Sequence, residues 1–115
     1  MLVEERIYTL YPGTTRDFMK LYQEEGLPVQ RRYLKRMVGY YLSEIGALNQ
    51  LIHLWAYDDF EQRLNQRQRV RDDPEFQAYW HKVKPLIQQQ ECKLLTPASM
   101  FSERLMKIVS MIDAE

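Results

Sequence analysis

Apolar and polar positions alternate along residues 3–11, with Glu4, Arg6, Tyr8 and Leu10 on one side and Val3, Glu5, Ile7 and Thr9 on the other. That period of two predicts a β-strand. The strongest pattern lies at residues 39–57, GYYLSEIGALNQLIHLWAY, where strand formers (Tyr40, Tyr41, Ile45, Ile52, Trp55, Tyr57) flank Gly46-Ala47 on both sides. This predicts a hairpin. A two-residue type II′ loop with Gly46 first pairs Ile45 with Leu48 and sets Tyr40 opposite His53. The register puts Val38, Tyr40, Leu42, Glu44, Asn49, Leu51, His53, Trp55 and Tyr57 on one face. Met37, Tyr41, Ile45, Leu48, Ile52, Leu54 and Ala56 fall on the other. The second set is plainly apolar and predicts packing beneath helices. The first is aromatic but carries a carboxylate, an amide and an imidazole, so it is expected to meet something else.

Pro12-Gly13 ends the first strand, and Thr14 or Thr15 then caps a helix, with Asp17 placed to close a capping box over Thr14. Phe18, Leu21 and Tyr22 form its apolar stripe, Gly26 is a C-terminal stop, and Pro28 opens a second stretch with Val29 and Tyr33 inward. Asp58-Asp59 caps the next helix, with Phe60 and Leu64 inward. Arg63, Arg67, Arg69 and Arg71, balanced by Glu61, Asp72 and Asp73, predict a solvated face, as does the cluster Arg31, Arg32, Lys35 and Arg36. Asp73-Pro74-Glu75 restarts the helix. Phe76, Tyr79, Trp80, Val83 and Ile87 then recur at helical spacing up to a break at Pro85. Residues 91–95 form a last short strand, closed by Thr96-Pro97. The order βαββαβ predicts an α+β, ferredoxin-like fold: a four-stranded antiparallel sheet with its helices on one face. An aromatic face left in water is an association site. A homodimer packed through the sheet faces, enclosing a shared interior, is therefore expected.

At 115 residues the chain makes one domain, and 45% apolar with 28% charged residues excludes disorder as the main reading. Sixteen basic and sixteen acidic side chains cancel, which argues against nucleic acid as a partner. A lone cysteine, Cys92, excludes an internal disulfide, and no apolar run approaches a membrane span. The N-terminus has no apolar signal core, so a soluble, cytoplasmic protein is expected. Residues 99–115 are apolar at Phe101, Leu105, Ile108, Val109 and Ile112. This is one face of a helix, with Ser102 as its cap, that docks on the domain or on a partner subunit. An extended arm through residues 107–111 added to a sheet edge is the alternative.

Gly39-Tyr40-Tyr41, Ser43-Glu44-Ile45-Gly46, Leu48-Asn49-Gln50 and the run from His53-Leu54-Trp55 to Asp58 closely resemble the signature of the NIPSNAP family. The opening residues 4–10 with Pro12-Gly13, the pair Arg63 and Arg67, and Asp73-Pro74-Glu75-Phe76 with Tyr79 extend the resemblance over residues 1–100. Glu5 stands where the family is usually apolar and Phe76 where tryptophan is common. The resemblance implies a dimeric α+β barrel and no settled activity, in a family linked to vesicle traffic and mitochondrial signalling. The wider superfamily includes cofactor-independent monooxygenases and haem-degrading enzymes, so a small-molecule site inside the barrel follows by analogy. With one domain copy and no transit peptide, the chain resembles a free-standing bacterial-type member.

The first strand beside the second hairpin strand adds Glu4, Arg6 and Tyr8 to Tyr40, Glu44, Asn49, His53, Trp55 and Tyr57, which together form the candidate pocket. These charges form a satisfied network at an interface or barrel rim, or they line a pocket in which His53 acts as base or ligand. His81 lies on a helix among lysines, and no metal spacing appears; Ser43 and Cys92 lack the company a nucleophile needs. No metal or cofactor is called for. Two readings stand: a non-catalytic homodimer binding a small apolar or aromatic ligand or a protein partner, and a cofactor-free oxygenase or isomerase acting inside the barrel.

Overall fold

Four strands, β1 (Leu2–Leu10), β2 (Met37–Leu42), β3 (Gln50–Tyr57) and β4 (Ile87–Leu95), form one antiparallel sheet in the order β2-β3-β1-β4. The computed structural model describes all of residues 1–115. Each crossover is helical, the first continuous and the second broken once. Between β1 and β2 run α1 (Thr15–Leu21), a π-helical turn at Tyr22–Gly26, and α2 (Leu27–Tyr33). Between β3 and β4 run α3 (Phe60–Asp72) and α4 (Pro74–Val83), parted by Asp73. Asp73 takes extended backbone angles and accepts from Glu75 N, so it caps α4 where α3 has ended. This is the ferredoxin-like α+β arrangement that the order of elements predicts.

Gly26 does not stop the first helix. It lies within the continuous helical path, buried beneath the ring of Tyr79, where an added Cβ would stand 2.6 Å from Cζ. The glycine is there so that α4 can approach the turn closely.

The pairing of β2 with β3 keeps the expected register, with Tyr40 opposite His53 and Tyr41 opposite Ile52. The tight turn does not form. The ladder stops after Leu42 and Gln50, and residues 43–49 make an open loop with Ile45 and Leu48 largely exposed. Gly46 takes the positive φ of the expected turn (115°), but Asn49 also turns left-handed (φ 60°), which ends the strand there.

The larger correction concerns the faces. Leu51, His53, Trp55 and Tyr57, expected on the uncovered side, lie beneath the helices. Leu51 packs with Tyr8, Leu10, Phe18, Tyr22, Tyr79 and Val83. Trp55 and Tyr57 pack with Leu34 and Val70. Large rings fill the deep space between sheet and helices, and the polar atoms among them bond to one another, so their presence did not mark a wet face. A β-bulge between Met37 and Gly39 puts Met37 on the helix side with His53 and Val38 on the other with Ala56, so each keeps its expected position relative to the helices but not its expected face-mates.

The opposite face carries Ile7 and Ile52, which pair across β1 and β3, together with Leu54 and Tyr41. Residues 99–113 form α5 (Ser99–Asp113), which buries Leu105 and Val109 on Ala56, Val3 and Val38 at one end of this face. Ala98 holds the cap position, and Ser102 Oγ donates back to its carbonyl, so the serine expected to cap the helix sits inside it. The guanidinium of Arg36 binds both Asp113 at the end of α5 and Asp58.

Candidate functional site

Glu4 is the centre of the buried polar structure. Its side chain has no solvent exposure, and burial by itself would hold it protonated. Arg67 offers Nε at 3.0 Å to Oε1, Arg63 offers Nε at 2.8 Å and Nη2 to Oε2, and Arg6 reaches Oε2 at 3.4 Å. Tyr57 donates its hydroxyl to Oε1 at 3.1 Å, and Cys92 Sγ stands 3.2 Å from Oε2. Burial raises the carboxyl, but the guanidinium groups, Arg67 foremost, overcome it and bring the pKa down to about 2. Glu4 is therefore ionised at any ordinary pH. Burial and then the Glu4 carboxylate push the Cys92 thiol up, so it is a weak nucleophile.

His53 sits beside this network, nearly fully buried. Trp55 Nε1, which can only donate, gives a 2.7 Å hydrogen bond to His53 Nδ1. The ring proton is thereby assigned to Nε2, which is buried without an acceptor. Tyr40 stacks on the imidazole at 4.9 Å, and Tyr8 meets it edge-on at the same separation. Burial first, then Arg6 and Arg67, lower its pKa to about 3. The neutral imidazole has its lone pair occupied by Trp55, which disfavours His53 as a base, while Nε2–H remains a donor without an acceptor.

A cavity of about 490 Å³ opens between β1, the inward sides of α3 and α4, and β4. Arg6, Arg63, Arg67 and Arg71 line it, along with His81, and no carboxylate does. Tyr8, Phe76 and Trp80 supply aromatic walls, the last two stacked within 14° of parallel. The guanidinium of Arg6 lies over the Tyr8 ring and that of Arg67 over Trp55, both at 5.6 Å from the centroid. Arg67 is 8% exposed, and its Nη2 is 2.7 Å from Glu4 Oε1 at an angle that makes no hydrogen bond, leaving that group without an acceptor.

Of the candidate residues, Glu4, Arg6, Tyr8, Tyr40, His53, Trp55 and Tyr57 come together, but under the helices instead of facing a second sheet. Glu44 and Asn49 do not join them: both lie in the open loop, Glu44 exposed. Arg63 and Arg67, expected on a solvated face, point inward, whereas Phe60 and Leu64, expected inward, are about half exposed. The inward stripe of α3 is Arg63, Arg67 and Val70, one helical face at spacings of four and three. Its signal was available: a strand carboxylate on an aromatic face demands cationic partners, and only this pair falls in phase with Val70. No cluster of three or more His, Cys, Asp or Glu is placed to hold a metal ion, and no helix is long and apolar enough to cross a membrane.

The NIPSNAP family model matches residues 3–102. An uncharacterised NIPSNAP domain protein of Burkholderia xenovorans superposes with a TM-score of 0.82 at 39% identity, covering 86% of this chain and 96% of its own. The protein NipSnap homolog 2 of Danio rerio is 30% identical over 96 residues, 84% of this chain and 33% of its own length. The chain thus spans about a third or less of the first such relatives. An antibiotic biosynthesis monooxygenase shares the fold alone, with a TM-score of 0.60 at 13% identity over 85% of this chain and 99% of its own. By sequence over nearly its whole length and by the solved fold of such relatives, this chain belongs to the NIPSNAP family.

Proposed function

We propose that this protein is a homodimer that holds a small molecule in each chain, between the sheet and its own helices, with no chemistry performed on it by His53. The observation that carries the reading is the 490 Å³ cavity with guanidinium and aromatic walls. Its size falls within the range of small-molecule sites, and four arginines with no carboxylate among the lining residues favour a ligand that carries negative charge. The oxygenase or isomerase reading with His53 as base is disfavoured, because Trp55 occupies the accepting nitrogen of that imidazole.

The dimer is supported by the apolar face on the far side of the sheet. Tyr41 is more than half exposed there beside Ile7, Ile52 and Leu54, and the exposed loop residues Ile45 and Leu48 and Met106 and Met111 of α5 add further uncovered apolar surface. Native mass spectrometry tests both parts together. A mass of about twice 14.0 kDa, with added mass retained on each chain under gentle conditions, supports the reading. Leu54→Glu places an unpaired charge on the association face and should give folded monomers that still hold ligand. A wild-type monomer at micromolar concentration rejects the dimer. A ligand lost with Leu54→Glu but kept by cavity variants rejects the cavity as the site.

A further inference from the structure

We infer that the cavity selects a small planar aromatic compound carrying a carboxylate, an inference that rests on the cavity being the ligand site. Three guanidinium groups, those of Arg6, Arg63 and Arg67, converge on the single carboxylate of Glu4. Glu4 neutralises one of them. Its two oxygens are already occupied by Arg63 and Arg67, with Arg6 at 3.4 Å, so it has no capacity to neutralise the others. The cavity wall adds Arg71 and His81 to this group and no carboxylate. Guanidinium forks suit a planar two-oxygen anion, because two parallel N–H groups match its geometry. Arg6 and Arg63 line the cavity with about a fifth of each side chain exposed, and are the donors such an anion would meet; Arg67 Nη2 stands beside them, 2.7 Å from Glu4 Oε1 but outside hydrogen-bond geometry.

The body of the ligand is set by the walls. Tyr8 on the sheet side and the stacked pair Phe76 and Trp80 on α4 enclose the space between them, and Val70 adds an aliphatic surface. Aromatic walls favour a flat ring system by stacking and edge contacts. Gln30, Gln77 and Gln90 add neutral hydrogen-bonding groups to the lining, which suits hydroxyl or carbonyl substituents on the ring.

Calorimetric titration of the full chain with 1-naphthoate, 1-naphthalenemethanol, acetate and inorganic phosphate tests the class. The expected result is one 1-naphthoate per chain, bound at least tenfold more tightly than the other three and more weakly as salt rises. Arg63→Gln should weaken 1-naphthoate tenfold or more while leaving the neutral alcohol unchanged. Trp80→Ala, outside the Glu4 network, should weaken both aromatic compounds alike. Circular dichroism confirms that each variant is folded. Equal binding of the alcohol and the acid overturns the carboxylate but leaves the cavity as the ligand site. Binding of phosphate alone overturns the aromatic class and leaves a simple anion hole. No binding by any of the four, with folded protein, overturns both this inference and the cavity reading.

Discussion

Replacing Glu4 with glutamine keeps the shape of the side chain and removes the charge that three arginines share. In the folded protein the carboxyl titrates at about 2 against 4.5 for an unperturbed one. Each tenfold step is worth about 1.36 kcal/mol, so the interval amounts to about 3 kcal/mol of stability at neutral pH. The same magnitude follows from the cost of leaving one member of a buried ion pair alone, about 3–5 kcal/mol. The sign is that of a depressed acid: the contribution is complete above pH 4.5 and is lost as pH falls toward 2. Urea unfolding at pH 7 should therefore show Glu4→Gln about 3 kcal/mol less stable, with an unchanged dependence on denaturant and a melting temperature lower by about 10 °C. At pH 3 the gap should shrink to less than half. A gap below about 0.5 kcal/mol at pH 7, or one that does not change with pH, refutes the idea that Glu4 is the anion holding these guanidinium groups in place.

His53 acts in a different pH window. It titrates at about 3 folded against 6.5 unfolded, so the unfolded chain takes up the proton first and acid destabilises the fold through it from pH 6.5 downward. Wild type should lose about 2 kcal/mol more than His53→Gln between pH 6.5 and 4.5, a comparison in which the slope from Glu4 is common to both proteins; equal slopes in urea unfolding would reject the buried neutral imidazole. Gly26→Ala drives a Cβ into the buried Tyr79 ring and should cost about 1–3 kcal/mol, part of it recovered by Tyr79→Leu in a double-mutant cycle. Leu105→Ala, which uncovers Ala56 and Val3 beneath α5, should cost about 2–3 kcal/mol by thermal unfolding, and a neutral effect would show that the helix does not dock there.

Element order, strand pairing and the family were legible because they depend on local periodicity and on caps such as Asp59 and Asp73, each of which accepts the backbone hydrogen bond its position calls for. Which face of the sheet the helices cover was not. Alternation separates two faces but does not say which is covered, and His53, Trp55 and Tyr57 offered polar atoms that looked suited to water. Their partners lie far away in sequence: Tyr57 meets Glu4 across 53 residues, and Glu4 meets Arg67 across 63. The arginines of α3 misled for the same reason, since their charge is compensated from another strand and not from the acidic residues beside them. The bulge at Val38 put Met37 and Val38 out of phase with the rest of the strand, with no sign in the local pattern.

The proposed ligand lies between sheet and helices, not between two sheets. Crystallography of the protein grown with 1-naphthoate tests that directly. The predicted result is density for the acid beside Arg63 and Arg67, with its ring against Trp80 and Tyr8. Density lodged instead against Ile7, Ile52 and Leu54, with the arginine cavity holding only solvent, would contradict it.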